Sequence, residues 1–113
     1  IYIAASEGHT EIVKLLLDKG ADIRDHEGET LIFAAANGGY TEIVKLLLDK
    51  GADITVRDYD GETPIFAAAN GGYTEIVKLL LDKGADITVR DHEGETPIFA
   101  AANGGYTKIV KLL

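Results

Sequence analysis

The chain has 113 residues, of which 46% are hydrophobic, and it carries a formal net charge of −8 at pH 7 and no cysteine. This length fits one compact domain or a short array of small units, and the apolar fraction is sufficient for a packed core. The negative charge disfavours nucleic acids and anionic membranes as partners, and the lack of cysteine excludes disulfides and thiolate sites.

Residues 1–24 read as the end of a repeating unit that has diverged from the later copies. Tyr2 aligns with Phe66, and His9 aligns with Tyr73. We therefore interpret His9 as a structural residue at the start of a helix. Because the first and last residues of the chain both fall inside expected helices, we expect the intact protein to extend beyond them.

The loop that follows is shorter than its later equivalents. It reads GADIRD, whereas the two later copies read GADITVRD, so equivalents of Thr55 and Val56 are absent between Ile23 and Arg24. We favour the hypothesis that the recorded sequence omits two residues of the protein, and the alternative is a true deletion. A normal peptide bond of about 1.33 Å between Ile23 and Arg24 would contradict the favoured hypothesis.

Segments that begin at Asp25, Asp58 and Asp91 repeat nearly the same amino-acid sequence with a period of 33 residues. The two complete copies differ only at the pairs His26/Tyr59, Glu27/Asp60 and Leu31/Pro64. A fixed period of this length predicts stacked units, each of which contacts mainly its neighbours. We therefore predict a single array over 1–113, composed of a partial repeat at 1–24, repeats at 25–57 and 58–90, and a partial repeat at 91–113.

Each unit predicts a turn followed by a short helix, as residues 58–90 illustrate. Gly61 permits the turn, Thr63 is suited to cap the first helix, and Pro64 is suited to its first position. The text IFAAA continues this helix, and the Gly71-Gly72 pair ends it.

A second helix is predicted to start at a Thr74 cap and to end at Gly84. Its apolar positions form one broad face, and they are Ile76, Val77, Leu80 and Leu81. The segment ADITVR is then expected to lead out in extended form. Because two short helices cannot bury their apolar sides alone, stacking of the next copy supplies the missing contact.

The unit resembles the ankyrin repeat, a family with a 33-residue period and a T-P-L-H-x-A signature. The matching residues are Thr63-Pro64-Ile65-Phe66-Ala67-Ala68-Ala69, Gly72, Ile76-Val77, Leu80-Leu81 and Gly84-Ala85-Asp86. The resemblance implies an all-α solenoid of stacked helix-turn-helix units joined by hairpin-like loops. It also implies protein binding without catalysis, through turns that project as fingers beside a groove lined by the first helices. For a natural member it implies an intracellular location.

Two departures from the family pattern bear on the groove. Phe33, Phe66 and Phe99 replace the family's histidine, which exchanges a polar helix-start contact for an aromatic filler. Ala67 and its equivalents stand where a larger apolar residue is common, so we expect a shallow groove floor.

Other chemical interpretations are weaker. His26 and His92 each precede a glutamate, as in a metal site, but their turns lie two units apart, about 20 Å at the usual spacing of packed helices, and cannot share an ion. The acids of residues 58–62 imitate part of a calcium loop, but Gly61 comes too early. The text NGGYTEIV lacks the ending of a phosphate-binding loop. We therefore expect no catalytic residue, metal or cofactor.

The resemblance places partner contacts at the finger turns and at the ends of the first helices. The corresponding positions are Arg57, Tyr59, Asp60, Glu62, Asn70 and Gly71, with the equivalents Arg24, His26, Glu27, Glu29, Asn37 and Gly38, and Arg90, His92, Glu93, Glu95, Asn103 and Gly104. They hardly vary between copies, and Tyr59 is the single aromatic anchor among them.

Two hypotheses about the role of the array follow from this sameness. The one we favour slightly is a consensus or designed array with no selected partner, because natural drift usually diversifies copies. The alternative is a natural adaptor that recognises a basic or repetitive protein partner. We expect a monomer in either case, and we disfavour an enzyme or a small-molecule binder.

Overall fold

The computed structural model describes residues 1–23 and 30–113, and over these ranges the chain is helical, without a β-strand. Eight helices lie within these described ranges, and they are α1 (Tyr2–Ser6), α2 (Thr10–Asp18), α3 (Leu31–Gly38), α4 (Thr41–Asp49), α5 (Pro64–Gly71), α6 (Thr74–Asp82), α7 (Pro97–Asn103) and α8 (Thr107–Leu112). The described residues span 40 × 25 × 23 Å. The predicted all-α solenoid of helix-turn-helix units is confirmed.

The first helix of each repeat begins where the sequence predicts. The hydroxyl oxygens of Thr30 and Thr63 accept hydrogen bonds from the backbone N–H groups of Phe33 and Phe66, at 3.1 Å and 3.3 Å. Pro64 occupies the first helical position of α5, and Gly72 closes that helix in the left-handed conformation, with φ of 79°. These caps satisfy backbone groups that the helix itself leaves without partners.

The predicted start of the second helix was wrong by one residue. Thr74 is the first helical residue of α6 rather than its cap; Tyr73 occupies the cap position, and no side chain caps the helix. The reason is the packing of the Tyr73 ring, which fills space left by glycines of its own repeat and of the repeat before. A methyl group at Gly39 would lie only 2.6 Å from that ring.

The loop after α4 contains a turn, whereas the sequence had led us to expect a fully extended segment. The carboxylate of Asp53 accepts hydrogen bonds from the backbone N–H and the hydroxyl of Thr55, at 2.8 Å and 2.6 Å. These bonds stabilise a local turn and hold the pKa of Asp53 below its usual value. The junction between Ile23 and Arg24 lies outside the described residues, so the hypothesis of two omitted residues stays a prediction.

The core runs along the stack between consecutive units. Helix α5 packs against α3 and α7, and α6 packs against α4 and α8. The apolar face predicted for α6 is confirmed at Ile76, Val77 and Leu80, which are buried, and Leu81 packs partly buried against the same core. Stacking of like units therefore supplies the burial that each unit lacks alone. The boundaries of the individual repeats stay a prediction.

In the middle of the stack, the phenylalanines of the first helices are buried and fill space between the repeats, as predicted. Phe33 and Phe66 are 6% and 3% exposed, whereas Phe99 is 51% exposed on the outer side of α7. Ala34 and Ala67 are buried beside them. Helices α3 and α5 therefore pack these aromatic and small side chains closely, whereas α7 leaves its phenylalanine partly exposed.

Candidate functional site

Two finger turns are described, and we define them as residues 58–62 and 91–95. In the first of them, Asp58 organises the backbone: its carboxylate accepts hydrogen bonds from the N–H groups of Asp60 and Glu62, at 3.0 Å and 2.8 Å. The backbone N–H of Asp58 donates to the carbonyl oxygen of Glu62 at 2.9 Å. The carboxylate and the backbone of Asp58 therefore both stabilise the turn.

The second finger turn repeats this arrangement. Asp91 accepts hydrogen bonds from the N–H groups of Glu93 and Glu95, at 2.9 Å and 2.8 Å. The two turns therefore present their acidic side chains in the same local geometry. Within the part of the chain that the structure describes, no group of three or more metal-binding side chains is placed to hold an ion.

Arg57 and Arg90, which the sequence assigned to partner contacts, are engaged with the finger backbone. The Nε of Arg57 donates to the carbonyl oxygen of Gly61 at 3.0 Å, and one of its terminal nitrogens donates to the carbonyl oxygen of Arg90. Arg90 in turn donates to the carbonyl oxygen of Gly94 at 2.8 Å. The one sequence feature that could have predicted the bonds to glycine is the fixed spacing of four residues between each arginine and its glycine.

The two finger turns also contact each other directly. The backbone N–H of His92 donates to the carbonyl oxygen of Asp60 at 2.9 Å. The imidazole of His92 lies against Gly61, where a methyl group would come within 2.6 Å of the ring. The side chain of His92 is exposed, as expected for a solvated turn, but the sequence did not reveal its role in stacking the fingers.

A groove separates the first finger turn from the first helices. It has a volume of about 320 Å³, and the residues that line it are Tyr2, Ser6, Phe33, Ala34, Asn37, Gly38, Asp58, Asp60 and Glu62. The helices supply a neutral floor, and the turn supplies three carboxyl groups on one side. The structure thus brings the predicted contact residues Asp60, Glu62, Asn37 and Gly38 together around one cavity.

Burial and a cluster of nearby acids shift the pKa of Glu62. Its burial, and then the negative charges of nearby carboxylates, raise the pKa of Glu62 to about 7. Those carboxylates belong to both finger turns, and they are Asp58, Asp60, Asp91 and Glu95. Desolvation and the charges of Asp91 and Glu93 also raise the pKa of Glu95. A positive charge near the groove wall would therefore stabilise the ionised form of Glu62.

The remaining predicted positions lie around this groove or beyond it. Tyr59, at the tip of the first finger turn, is 72% exposed. Asn70 and Gly71 are exposed at the end of α5, and Asn103 and Gly104 are exposed at the end of α7. Four further predicted positions lie outside the described residues: Arg24, His26, Glu27 and Glu29.

Two comparisons with known proteins bear on this arrangement. A sequence model of the family described as ankyrin repeats in three copies matches residues 1–58 and 57–113. No curated protein matches the chain. Among the described residues, no helix has the length and apolar character needed to cross a membrane.

Proposed function

The chain belongs to the ankyrin-repeat family, and from this premise we propose that it is a scaffold that binds a protein partner through its finger turns and first-helix groove. Ankyrin repeats are generally protein–protein interaction modules, and the fold is a non-catalytic one. The observation that carries the proposal is the groove of about 320 Å³, which sets a neutral helical floor against Asp60 and Glu62.

The partner we propose is a protein segment that carries lysine or arginine. The guanidinium groups of Arg57 and Arg90 donate to backbone carbonyl oxygens of the fingers. The two described finger turns carry six acidic side chains against these two arginines. They therefore present net negative charge to an approaching partner, and complementary charge favours both the encounter rate and specificity. Tyr59 supports the proposal as an exposed aromatic anchor beside the acids. The chain acts in this proposal as a monomer.

A second candidate is a consensus or designed array with no selected partner. Its support is the sameness of the two described finger turns, in which Asp58 and Asp91 make equivalent hydrogen bonds. A surface that reads an asymmetric partner is expected to present different residues in different repeats. The two candidates share the same scaffold and differ in whether any partner is recognised.

Selection of peptides from a random display library, followed by calorimetry of the enriched peptides, separates the two candidates. The first candidate predicts enrichment of lysine- and arginine-rich peptides, with affinity reduced at least about tenfold by Glu62→Lys. Glu75→Lys is the matched control, because Glu75 is an exposed acid on α6, paired with Lys78 at 3.6 Å. If enriched peptides bind equally to the Glu62→Lys protein, the acidic-groove proposal is wrong. A library that yields no binder at low salt supports the second candidate.

A further inference from the structure

The groove between the first finger turn and the first helices is lined by aromatic rings as well as by carboxyl groups. Tyr2 of α1 and Phe33 of α3 line its helical side, and Asp60 and Glu62 line the side of the turn. Tyr2 is partly buried and Phe33 is 6% exposed, so the ring of Tyr2 is the more accessible of the two. A cationic group that enters this groove therefore meets both aromatic rings and carboxyl groups.

Two of the carboxyl groups in the groove are open to such a cation. The carboxylate of Asp58, the third acid in the lining, already accepts two backbone N–H groups of its own turn. By contrast, no described residue donates a hydrogen bond to the side chain of Asp60 or Glu62 or forms an ion pair with it. Asp60 and Glu62 are therefore the acceptors that a bound cation would use.

Arginine fits this combination of groups better than lysine does. A guanidinium is planar, so it pairs with carboxylates along its edge and stacks on an aromatic ring with its face. The ammonium of lysine is a compact, strongly hydrated charge, and it takes part in cation–π contacts less often. The groove volume of about 320 Å³ is near the lower end of the usual range for ligand pockets, about 300–1,000 Å³, which suits one side chain.

We propose that this groove selects arginine over lysine in the partner segment. The guanidinium of one partner arginine lies against the ring of Tyr2 and donates to the carboxylates of Asp60 and Glu62. The net negative charge of the finger turns is complementary to that of the guanidinium. The inference rests on the proposed function, because it names the residue of the basic partner that the groove binds.

Binding of hexa-arginine and hexa-lysine peptides, which have equal length and charge, provides the test. Their dissociation constants are measured by fluorescence anisotropy in buffer above the pKa of Glu62, which is about 7. We expect hexa-arginine to bind about fivefold to tenfold more tightly than hexa-lysine. Equal affinities would overturn the preference for arginine and leave the proposed function intact. Binding of neither peptide at low salt would overturn both.

Tyr2→Leu tests whether the aromatic ring produces the preference. Leucine keeps an apolar side chain on α1 and removes the π-system, so we expect the affinity ratio of the two peptides to fall by at least about threefold. Phe99→Leu is the matched control, because Phe99 is an aromatic residue of α7 that is 51% exposed and does not line the groove. It should keep the wild-type ratio. A ratio that is unchanged in Tyr2→Leu would overturn the proposal.

A measurement on the wild-type protein removes any dependence on the folding of a variant. Because the guanidinium lies against the ring of Tyr2, we expect intermolecular nuclear Overhauser effects between the ring protons and the side-chain methylene protons of bound hexa-arginine. If these effects are absent while the amide signals of Asp60 and Glu62 shift on binding, the peptide binds the acids without the ring, and the proposal is wrong.

Discussion

The guanidinium of Arg57 donates a hydrogen bond to the backbone carbonyl oxygen of Arg90, one repeat further along the chain. The same side chain donates to the carbonyl oxygen of Gly61 in its own finger turn. A single arginine therefore ties two consecutive fingers together. In the proposed function, recognition of a partner would then rest on the other side chains of the finger turn, above all Tyr59, Asp60 and Glu62.

Replacement of Arg57 by alanine tests this link. Arg57→Ala should lower the free energy of unfolding by about 1–2 kcal/mol, because it removes charge-assisted hydrogen bonds to two carbonyl groups. Arg90→Ala is the matched control, since the described bond of its side chain goes only to Gly94 within one turn. Its expected loss in urea denaturation is under about 1 kcal/mol. Equal losses in the two variants would show that the bond between fingers adds no stability.

Glycines of the same backbone conformation are expected to differ in their tolerance of a methyl group. Gly39 and Gly51 have φ values of 78° and 81°. Both alanine variants should lose about 1–2 kcal/mol from left-handed strain. Gly39→Ala should lose about 1–3 kcal/mol more, because its methyl group would meet the Tyr73 ring, whereas nothing lies within 4 Å at Gly51. Thermal unfolding of both variants measures the difference, and similar melting temperatures would argue against the tight packing of Tyr73.

The stack core makes a prediction at Leu80. Its side chain is fully buried between α6 and its neighbours. Leu80→Ala should therefore cost about 2–5 kcal/mol through lost apolar contact and a residual cavity. Leu15→Ala serves as the control, because Leu15 is 58% exposed on α2. A loss under about 1 kcal/mol in chemical denaturation of the Leu80 variant would contradict its place in the core.

Helix capping offers a comparison between equivalent threonines. Thr63 caps α5 with its hydroxyl oxygen, whereas Thr96 stands at the same position of α7 without a side-chain cap bond. Thr63→Ala should reduce stability by about 1 kcal/mol. Thr96→Ala should have a smaller effect in the same urea titration. The reverse order would mean that the hydroxyl of Thr63 does not stabilise the helix.

Much of the fold follows from local features of the sequence. The Thr63-Pro64 pair predicts the start of α5, and Gly72 predicts its end, because these residues act within one turn of the helix. The apolar spacing in α6 likewise predicts the buried face that contains Leu80. The start of α6 was predicted incorrectly because Tyr73 is held by glycines of two different repeats, and a single unit does not contain that contact.

Less of the candidate site could be predicted from the sequence, because its contacts also join different repeats. Asp60 and Glu62 were placed on the finger by the turn pattern, and the structure sets them beside Asn37 of the preceding repeat. Arg57 was grouped with the partner contacts because the resemblance to ankyrin repeats places contacts at the finger turns. Only the three-dimensional stacking of the turns reveals that the Arg57 guanidinium also reaches the carbonyl oxygen of Arg90 in the next repeat.

The most direct test of the proposed function is to map a bound lysine- or arginine-rich peptide on the chain by NMR chemical-shift perturbation. The proposal predicts that the largest changes fall on the groove and finger residues, in particular Phe33, Asn37, Tyr59, Asp60 and Glu62. It also predicts that raised salt weakens the perturbations, because salt screens the attraction between the acidic side chains of the finger turns and the basic peptide. Perturbations centred instead on the exposed faces of α4 and α6 would contradict it.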